Sequence, residues 1–266
     1  MVFAILKNSI QKEIRSKVLL FLFICTILMI LIAHGIITFF FKNAENSEMA
    51  NLFVHNTITV FLYFINIWNW VLASVLGVNS VESDREYGIL GQVMSFPISR
   101  ISYLNSRILG TLLMVVLYYL ASLITAYFVF RSQGDIQIGS NIFMAFGFSL
   151  CEILSMILIS ILWSLVFPKI LAFITTIGTF FIIWLSNSHF KTQSLTEMFS
   201  NFSISKSVGV FFHLMFPRLG VLSEFSKKMI TGENPDLILW KELVHFGLSF
   251  SLIYGVTFLI FKRKSL

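Results

Sequence analysis

Of the 266 residues 57% are hydrophobic and only 12% are charged. A soluble domain carries about 25% charged residues, so a soluble globular protein is excluded. The net charge of +6 sits mostly beside apolar runs, where it orients a chain in a membrane, and gives no support to a nucleic-acid partner.

In chain order, residues 1–17 place Phe3, Leu6, Ile10 and Ile14 at helical spacing, opposite Lys7, Gln11, Lys12 and Arg15. That pattern predicts an interfacial amphipathic helix; the plainer alternative is a basic flank to the first span. Six apolar runs follow: Val18–Phe41, Leu52–Val78, Tyr103–Phe130, Asn141–Phe167, Ile170–Ser186 and Leu243–Phe261. Each approaches or exceeds the roughly 20 residues that cross a hydrocarbon core. The first is too long for a cleaved signal, and no small-x-small site follows it. No alternating ten-residue segments point to a β-barrel. Cys25 and Cys151 lie inside spans, give no disulfide framework and read as small apolar fillers.

Placing the N-terminus in the cytoplasm puts 11 lysines and arginines inside and 8 outside, most of the latter in one long segment. Short loops obey the positive-inside rule best, so both termini are expected to be cytoplasmic. The loops Lys42–Asn51 and Arg131–Ser140 are then external, and Pro168–Lys169 is a tight internal turn. Residues 187–239 form a long extracytoplasmic segment. In it Leu195, Met198, Phe199 and Phe202 predict one amphipathic helix, and Val208–Phe216 is a re-entrant or interfacial piece too short to cross. A seventh span over Ser207–Phe225 would bury Arg218 and Glu224 and is rejected. A turn over Gly232–Pro235 ends the segment, and Asp236 can cap the last helix. The expected architecture is a single all-α integral membrane domain over 1–266.

Catalytic and metal signatures are missing. No Gly-Lys dipeptide offers a phosphate-cradling loop, no His-Glu-x-x-His pair occurs, and the five histidines are scattered. No serine has the glycine-flanked setting of a nucleophile elbow. The chain is therefore expected not to be an enzyme, to bind no metal and to hold no cofactor.

Polar residues inside the spans are costly and read as functional by default. Glu152 lies about 16 Å of helix beyond Asn141, near the midplane, with Ser149 and Ser155 one turn to either side. It is either a carboxylate in a water-accessible cavity or one hydrogen-bonded between helices. A stripe on the second span runs through Asn56, Thr59, Tyr63, Asn66, Trp70, Ala73 and Gly77, with Asn69 beside it. It must face protein or a cavity, so Tyr63, Asn66, Asn69 and Glu152 mark either a translocation path or a helix interface. Gly247, Ser251 and Gly255 predict close helix packing in the last span. His34 receives no assigned role, except as an acid–base partner of Glu152 in a less favoured intramembrane enzyme.

The connection Val81–Arg107 is too elaborate for a simple loop. Glu82, Asp84, Arg85 and Glu86 open it, and Ile89, Leu90, Val93 and Met94 predict a short surface helix. Phe96-Pro97 breaks that helix, and Ser99 or Ser102 can cap the next. Charges at its start and a basic exit fit a docking surface.

These residues resemble the permease subunits of ATP-binding-cassette transporters of the type-2 exporter class. Their second loop reads Glu-x-Gly-Thr, a leucine-rich turn, Pro-[Ile/Val]-Ser-Arg, then a basic residue. Here Glu86-Tyr87-Gly88, Pro97-Ile98-Ser99-Arg100, Tyr103 and Arg107 stand in that order, with Ile89 in place of threonine and Gln92 in the leucine turn. Phe216-Pro217-Arg218-Leu219, Gly232, Tyr254 and Phe261-Lys262-Arg263-Lys264 resemble the endings of the multicopper-enzyme-maturation and gliding-motility branch, with Arg218 replacing asparagine.

The resemblance implies a multi-pass protein of the bacterial cytoplasmic (inner) membrane, paired with a second copy or a sibling. Each permease would dock a separate ABC ATPase subunit, which binds the ATP and magnesium, through a cytoplasmic coupling helix over 81–101. Glu82, Asp84, Arg85, Glu86, Tyr87, Gly88, Pro97, Ser99 and Arg100 are the expected coupling residues. Glu86 and Arg100 would contact the ATPase or fix the helix, while Gly88 and Pro97 shape it. The alternative is an ABC-driven mechanical or assembly protein acting on an extracytoplasmic partner through 187–239.

Overall fold

A computed structural model describes residues 6–8, 10, 11, 14, 17–43, 47–86, 88, 90, 91, 95, 98–131, 142–191, 193, 195–199, 203–231 and 239–263. The amphipathic N-terminal helix, the core of the proposed coupling helix with Tyr87 and Pro97, and the Gly232–Pro235 turn with Asp236 lie wholly or largely outside the described residues.

Every described element is an α-helix. In chain order they are α1 (Lys17–Asn43), α2 (Ser47–Glu86), α3 (Arg100–Arg131), α4 (Ile142–Val166), α5 (Lys169–Phe190), α6 (Leu195–Phe199), α7 (Ile204–Met215), α8 (Leu219–Thr231) and α9 (Leu239–Arg263). Six of them, α1 to α5 and α9, are long and apolar enough to cross a membrane. They match the six expected apolar runs, and the protein is a multi-pass membrane protein.

The largest shift of a boundary is in α2. Its apolar run predicts an end at Val78, yet the helix continues to Glu86. Val81, Glu82, Ser83 and Asp84 in that last stretch are all buried, so partners elsewhere in the chain offset the cost of the charges. Conversely, Gly247 and Gly255 meet nothing within 4 Å and Ser251 is exposed. That small-residue strip faces outward, and the expected close packing does not occur among the described residues.

α4 is the hub. It packs on α2, α3, α5, α8 and α9, and its Ile153, Ile157, Ile161 and Leu165 form part of the core. Lipid tails are as apolar as leucine, so helices in a bilayer associate through close packing rather than hydrophobic exclusion. Small residues permit that here. Ala73, Ser74, Gly77 and Ser80 on α2 are buried, as are Ser160 and Ser164 on α4. Their hydroxyls donate back to carbonyls of their own helices, Ser74 to Trp70, Ser80 to Gly77 and Ser164 to Ile161. Each of these three hydroxyls therefore has an acceptor inside its own helix and leaves the α2–α4 contact dense.

α7 and α8 meet at a 58° bend over Phe216–Arg218. Ser203 starts α7 by accepting a bond from the Lys206 backbone N–H. Ser186 Oγ donates to the Gly209 carbonyl, and Ser226 Oγ donates to the Ala145 carbonyl. Both arms thus seat on the end of the bundle where α4 begins and α5 finishes. Arg218, in the bend, donates to both carboxylate oxygens of Glu242 on α9, at 3.0 and 3.3 Å. A buried Arg–carboxylate pair explains how these two charges are accommodated in an apolar segment.

Candidate functional site

Two regions gather polar chemistry, one at the α2–α3 connection and one between α2, α4, α5 and α8. The expected coupling residues divide into inward and outward sets. Asp84 is buried and accepts hydrogen bonds from Tyr103 Oη at 2.7 Å and from the Arg107 guanidinium. Arg107 also lies over the Tyr103 ring, 5.4 Å from its centroid, and that ring stacks on Phe261 of α9. Glu82, also buried, accepts from Arg85 Nη2 at 2.6 Å. Glu86, Gly88 and Ser99 are exposed.

Local rules explain the connection's shape. Gly88 has φ +66° and returns its N–H to the Arg85 carbonyl, a left-handed position that ends a helix at little cost only for glycine. Ser99, rather than Ser102, caps α3: its Oγ accepts from the Ser102 backbone N–H. Arg100 is half-buried and reaches across to α9. Its Nη1 donates to the carbonyls of Phe261 and Lys262, at 3.3 and 2.7 Å, and so caps the C-terminus of α9. No sequence signal linked Arg100 to residues 161 and 162 positions away, since such a cap depends on tertiary contact alone.

The second region contains Glu152, fully buried on α4. Trp70 Nε1 on α2 donates to its Oε2 at 3.0 Å, and Oε1 has no hydrogen-bond partner among the described residues. The flanking serines turn elsewhere. Ser149 accepts from Tyr119 Oη at 3.0 Å and meets Ser226 of α8, and Ser155 bonds the Cys151 carbonyl. Asn69 is buried, with neither amide atom bonded among the described residues, Asn66 is half-buried and Tyr63 is exposed.

Trp70 also forms part of a groove of about 440 Å³ between α2 and α5, backed by Met156 of α4 and by Gly220 and Ser223 of α8. Its aromatic wall includes Phe180, Phe181 and Trp184, and the Trp70 and Phe180 rings lie 4.6 Å apart. Glu152 thus lies behind an indole that faces the groove. Of the polar residues picked out in the spans, Tyr63 lines this space, Glu152 lies behind Trp70, and Asn69 is buried away from the lining. The contribution of α8 is not legible in the sequence, where rejecting a span over Ser207–Phe225 leaves open what Leu219–Thr231 packs against.

Replacing Trp70 with phenylalanine keeps an aromatic ring but removes the one bond to the Glu152 carboxyl among the described residues. The loss is expected to be about 1–3 kcal/mol, read as a lower unfolding temperature in detergent. Glu152→Gln retains an acceptor and is expected to stay within about 1 kcal/mol of the parent. Equal effects of the two substitutions would show that the indole bond is not what matters.

His213 is buried, and its Nδ1 lies 3.0 Å from Asn187 Oδ1; His245 Nε2 lies 3.1 Å from the Leu214 carbonyl. Among the described residues no three histidine, cysteine, aspartate or glutamate side chains converge as metal ligands. No family model matches the chain, and a search of curated proteins finds no relative.

Proposed function

We propose that this chain is the membrane-spanning permease subunit of an ATP-driven exporter whose ATPase is a separate polypeptide. The observation that carries the reading is the mechanical junction at the α2–α3 connection. Asp84 ties α2 to Tyr103 and Arg107 of α3, and Arg100 ties α3 to the end of α9. A force applied between Glu86 and Ser99 therefore acts on three helices at once. The resemblance of Glu86-Tyr87-Gly88 and Pro97-Ile98-Ser99-Arg100 to an exporter coupling loop supplies the partner, an ATPase seated on that surface.

In this reading both termini and the coupling helix are cytoplasmic, residues 1–17 lie on the inner leaflet, and α6 to α8 belong to the extracytoplasmic segment. The groove lined by Tyr63 and Trp70 is the half-path for substrate, completed by a second copy or a sibling. Arg85, Glu86, Gly88 and Ser99 face the ATPase, while Glu82, Asp84 and Arg100 hold the connection's shape.

Photo-crosslinking residues placed at Glu86 and Gly91, both exposed, are expected to capture a protein bearing a nucleotide-binding Walker sequence, identified by mass spectrometry. Trp240, exposed at the opposite end, serves as the control. ATPase adducts at Trp240, or only self-adducts at Glu86 and Gly91, would overturn the reading.

A further inference from the structure

The groove between α2 and α5 has a selective lining. Five of its twelve lining residues are aromatic, where aromatic residues make up 16% of the chain. They are Tyr63 and Trp70 of α2 and Phe180, Phe181 and Trp184 of α5. Trp70 and Phe180 form one ring pair; Phe181 and Trp184 form another, 6.3 Å apart and 25° from parallel. Tyr63, Phe181 and Trp184 are exposed, so the groove opens sideways toward the bilayer.

None of the twelve lining side chains carries a charge. The Glu152 carboxyl lies behind the Trp70 indole. Lys191, Glu224 and Lys228 line an adjoining space that shares only Tyr63, Trp184 and Gly220 with the groove. A charged group drawn in among these rings would be desolvated without a partner, at a cost that apolar contacts do not return.

One polar atom of the lining is uncommitted. Helix serines elsewhere in the bundle return their hydroxyls to carbonyls of their own helices, as Ser74 does to Trp70. Ser223 on α8 is 7% exposed and lines the groove. Its hydroxyl makes no hydrogen bond among the described residues. A buried hydroxyl without a partner is unfavourable, and a guest carrying one oxygen function would satisfy it. Flat, stiff rings suit this lining better than an alkyl chain, because ring pairs gain more than their buried area and a rigid guest loses little freedom. The volume of about 440 Å³ falls in the range of about 300–1,000 Å³ typical of sites for a single small molecule.

We propose that this groove binds a neutral aromatic hydrophobe bearing a single hydroxyl or keto group, with its rings against Tyr63, Phe181 and Trp184 and its oxygen at Ser223 Oγ. The guest enters from the lipid phase. The inference rests on the exporter reading for its biological meaning, since it names the substrate class of the proposed path. The binding event itself requires no ATPase. At Gly220, one turn before Ser223, a Cβ would lie 3.5 Å from Trp184 Cδ1 and 3.6 Å from Asn187 Cβ. Those are ordinary contacts, so alanine fits there.

The test uses the full chain in nanodiscs of phosphatidylcholine, with benzophenone, a neutral two-ring ketone, as photoprobe and peptide mass spectrometry as readout. Labelling at Ile67, Val71 or Ile177, all in the groove, is expected to saturate. Labelling at the outward Leu248 and Leu252 of α9 is expected to rise in proportion to dose, as simple lipid exposure does. Three competitors share one skeleton: para-phenylphenol, biphenyl and para-cyclohexylcyclohexanol. At equal mole fraction in the lipid, the phenol is expected to displace the probe at least about fivefold better than biphenyl, the effect of one hydrogen bond. It is expected to do so at least about threefold better than the alicyclic alcohol, the effect of ring pairing. Ser223→Ala is expected to abolish the first preference and keep the second, with an unchanged unfolding temperature because no bond within the chain is lost. A groove merely filled by lipid chains predicts labelling that does not saturate. That result, equal displacement by the three competitors, or a preference over biphenyl that survives Ser223→Ala would overturn the proposal. Saturable, phenol-selective labelling without ATPase capture at Glu86 would refute the exporter reading alone. ATPase capture without such labelling would refute the aromatic guest alone.

Discussion

An Asp84→Ala chain is expected to lose about 3–5 kcal/mol of folding free energy, the cost of removing one partner from a buried ion pair. Arg107 is the reason. Its side chain is 1% exposed, and without Asp84 a guanidinium would stay inside the protein without the carboxylate that accepts from it. Tyr103 would lose its acceptor at the same time. The readout is thermal unfolding in a mild detergent, followed by size-exclusion chromatography or intrinsic fluorescence. A drop of at least about 6 °C is expected, taking about 2 °C per kcal/mol as the lower bound for a chain of this size. Replacing both members by apolar residues, Asp84→Leu with Arg107→Met, is expected to recover most of the stability, because the desolvation cost disappears with the charges. If the double variant is no more stable than Asp84→Ala, the pair is not the source of the loss. Tyr103→Phe removes one charge-assisted hydrogen bond and is expected to cost about 1.5–3 kcal/mol.

Gly77→Ala is expected to cost about 1–3 kcal/mol, the usual effect of overfilling a packed core. A Cβ at this position would stand 2.5 Å from Ser160 Oγ, 3.0 Å from Ser160 Cβ and 3.2 Å from the Ile157 carbonyl oxygen. The serine can be removed, but the carbonyl belongs to the α4 backbone and cannot. Ser160→Gly in the Gly77→Ala background is therefore expected to recover part of the loss and not all of it. The coupling between the two sites should reach at least about 0.5 kcal/mol, as for other residues in direct contact. Gly220→Ala provides the contrast on the same footing, since its Cβ meets only ordinary contacts and stability should be unchanged. A Gly77→Ala chain as stable as Gly220→Ala would show that α2 and α4 separate without penalty.

What the sequence made legible, and what it concealed, follows from the range of the interactions. Six apolar runs declare six helices because the bilayer's thickness acts locally on each. The stripe through Trp70, Ala73 and Gly77 is equally local, a 3.6-residue period that turns one face of α2 toward α4. Asp84 is different. Its charge ends an apolar run by any hydropathy argument, and the reason the helix continues is a guanidinium on α3 that only folding delivers. The same holds for Arg218, accommodated by Glu242, and for Arg100, whose acceptors lie at the end of α9. Glu152 marks the opposite case: its cost in a membrane flagged it from sequence, but not that an indole would cover it. The strip Gly247, Ser251, Gly255 shows that small-residue spacing alone does not say which side of a helix its neighbours occupy.

The hub position of α4 has a consequence for biogenesis. A chain is made N-terminus first, so α1, α2 and α3 enter the bilayer before the helix against which α2 and α3 pack has been synthesised. During that interval the Trp70 indole and the cleft at Gly77 stand ready, with their acceptor and their filler still in the ribosome. When α4 arrives, its carboxyl enters lipid beside a donor already in place. The order of elements along the chain thus shortens the time that the most costly group in the hub helix spends without a partner.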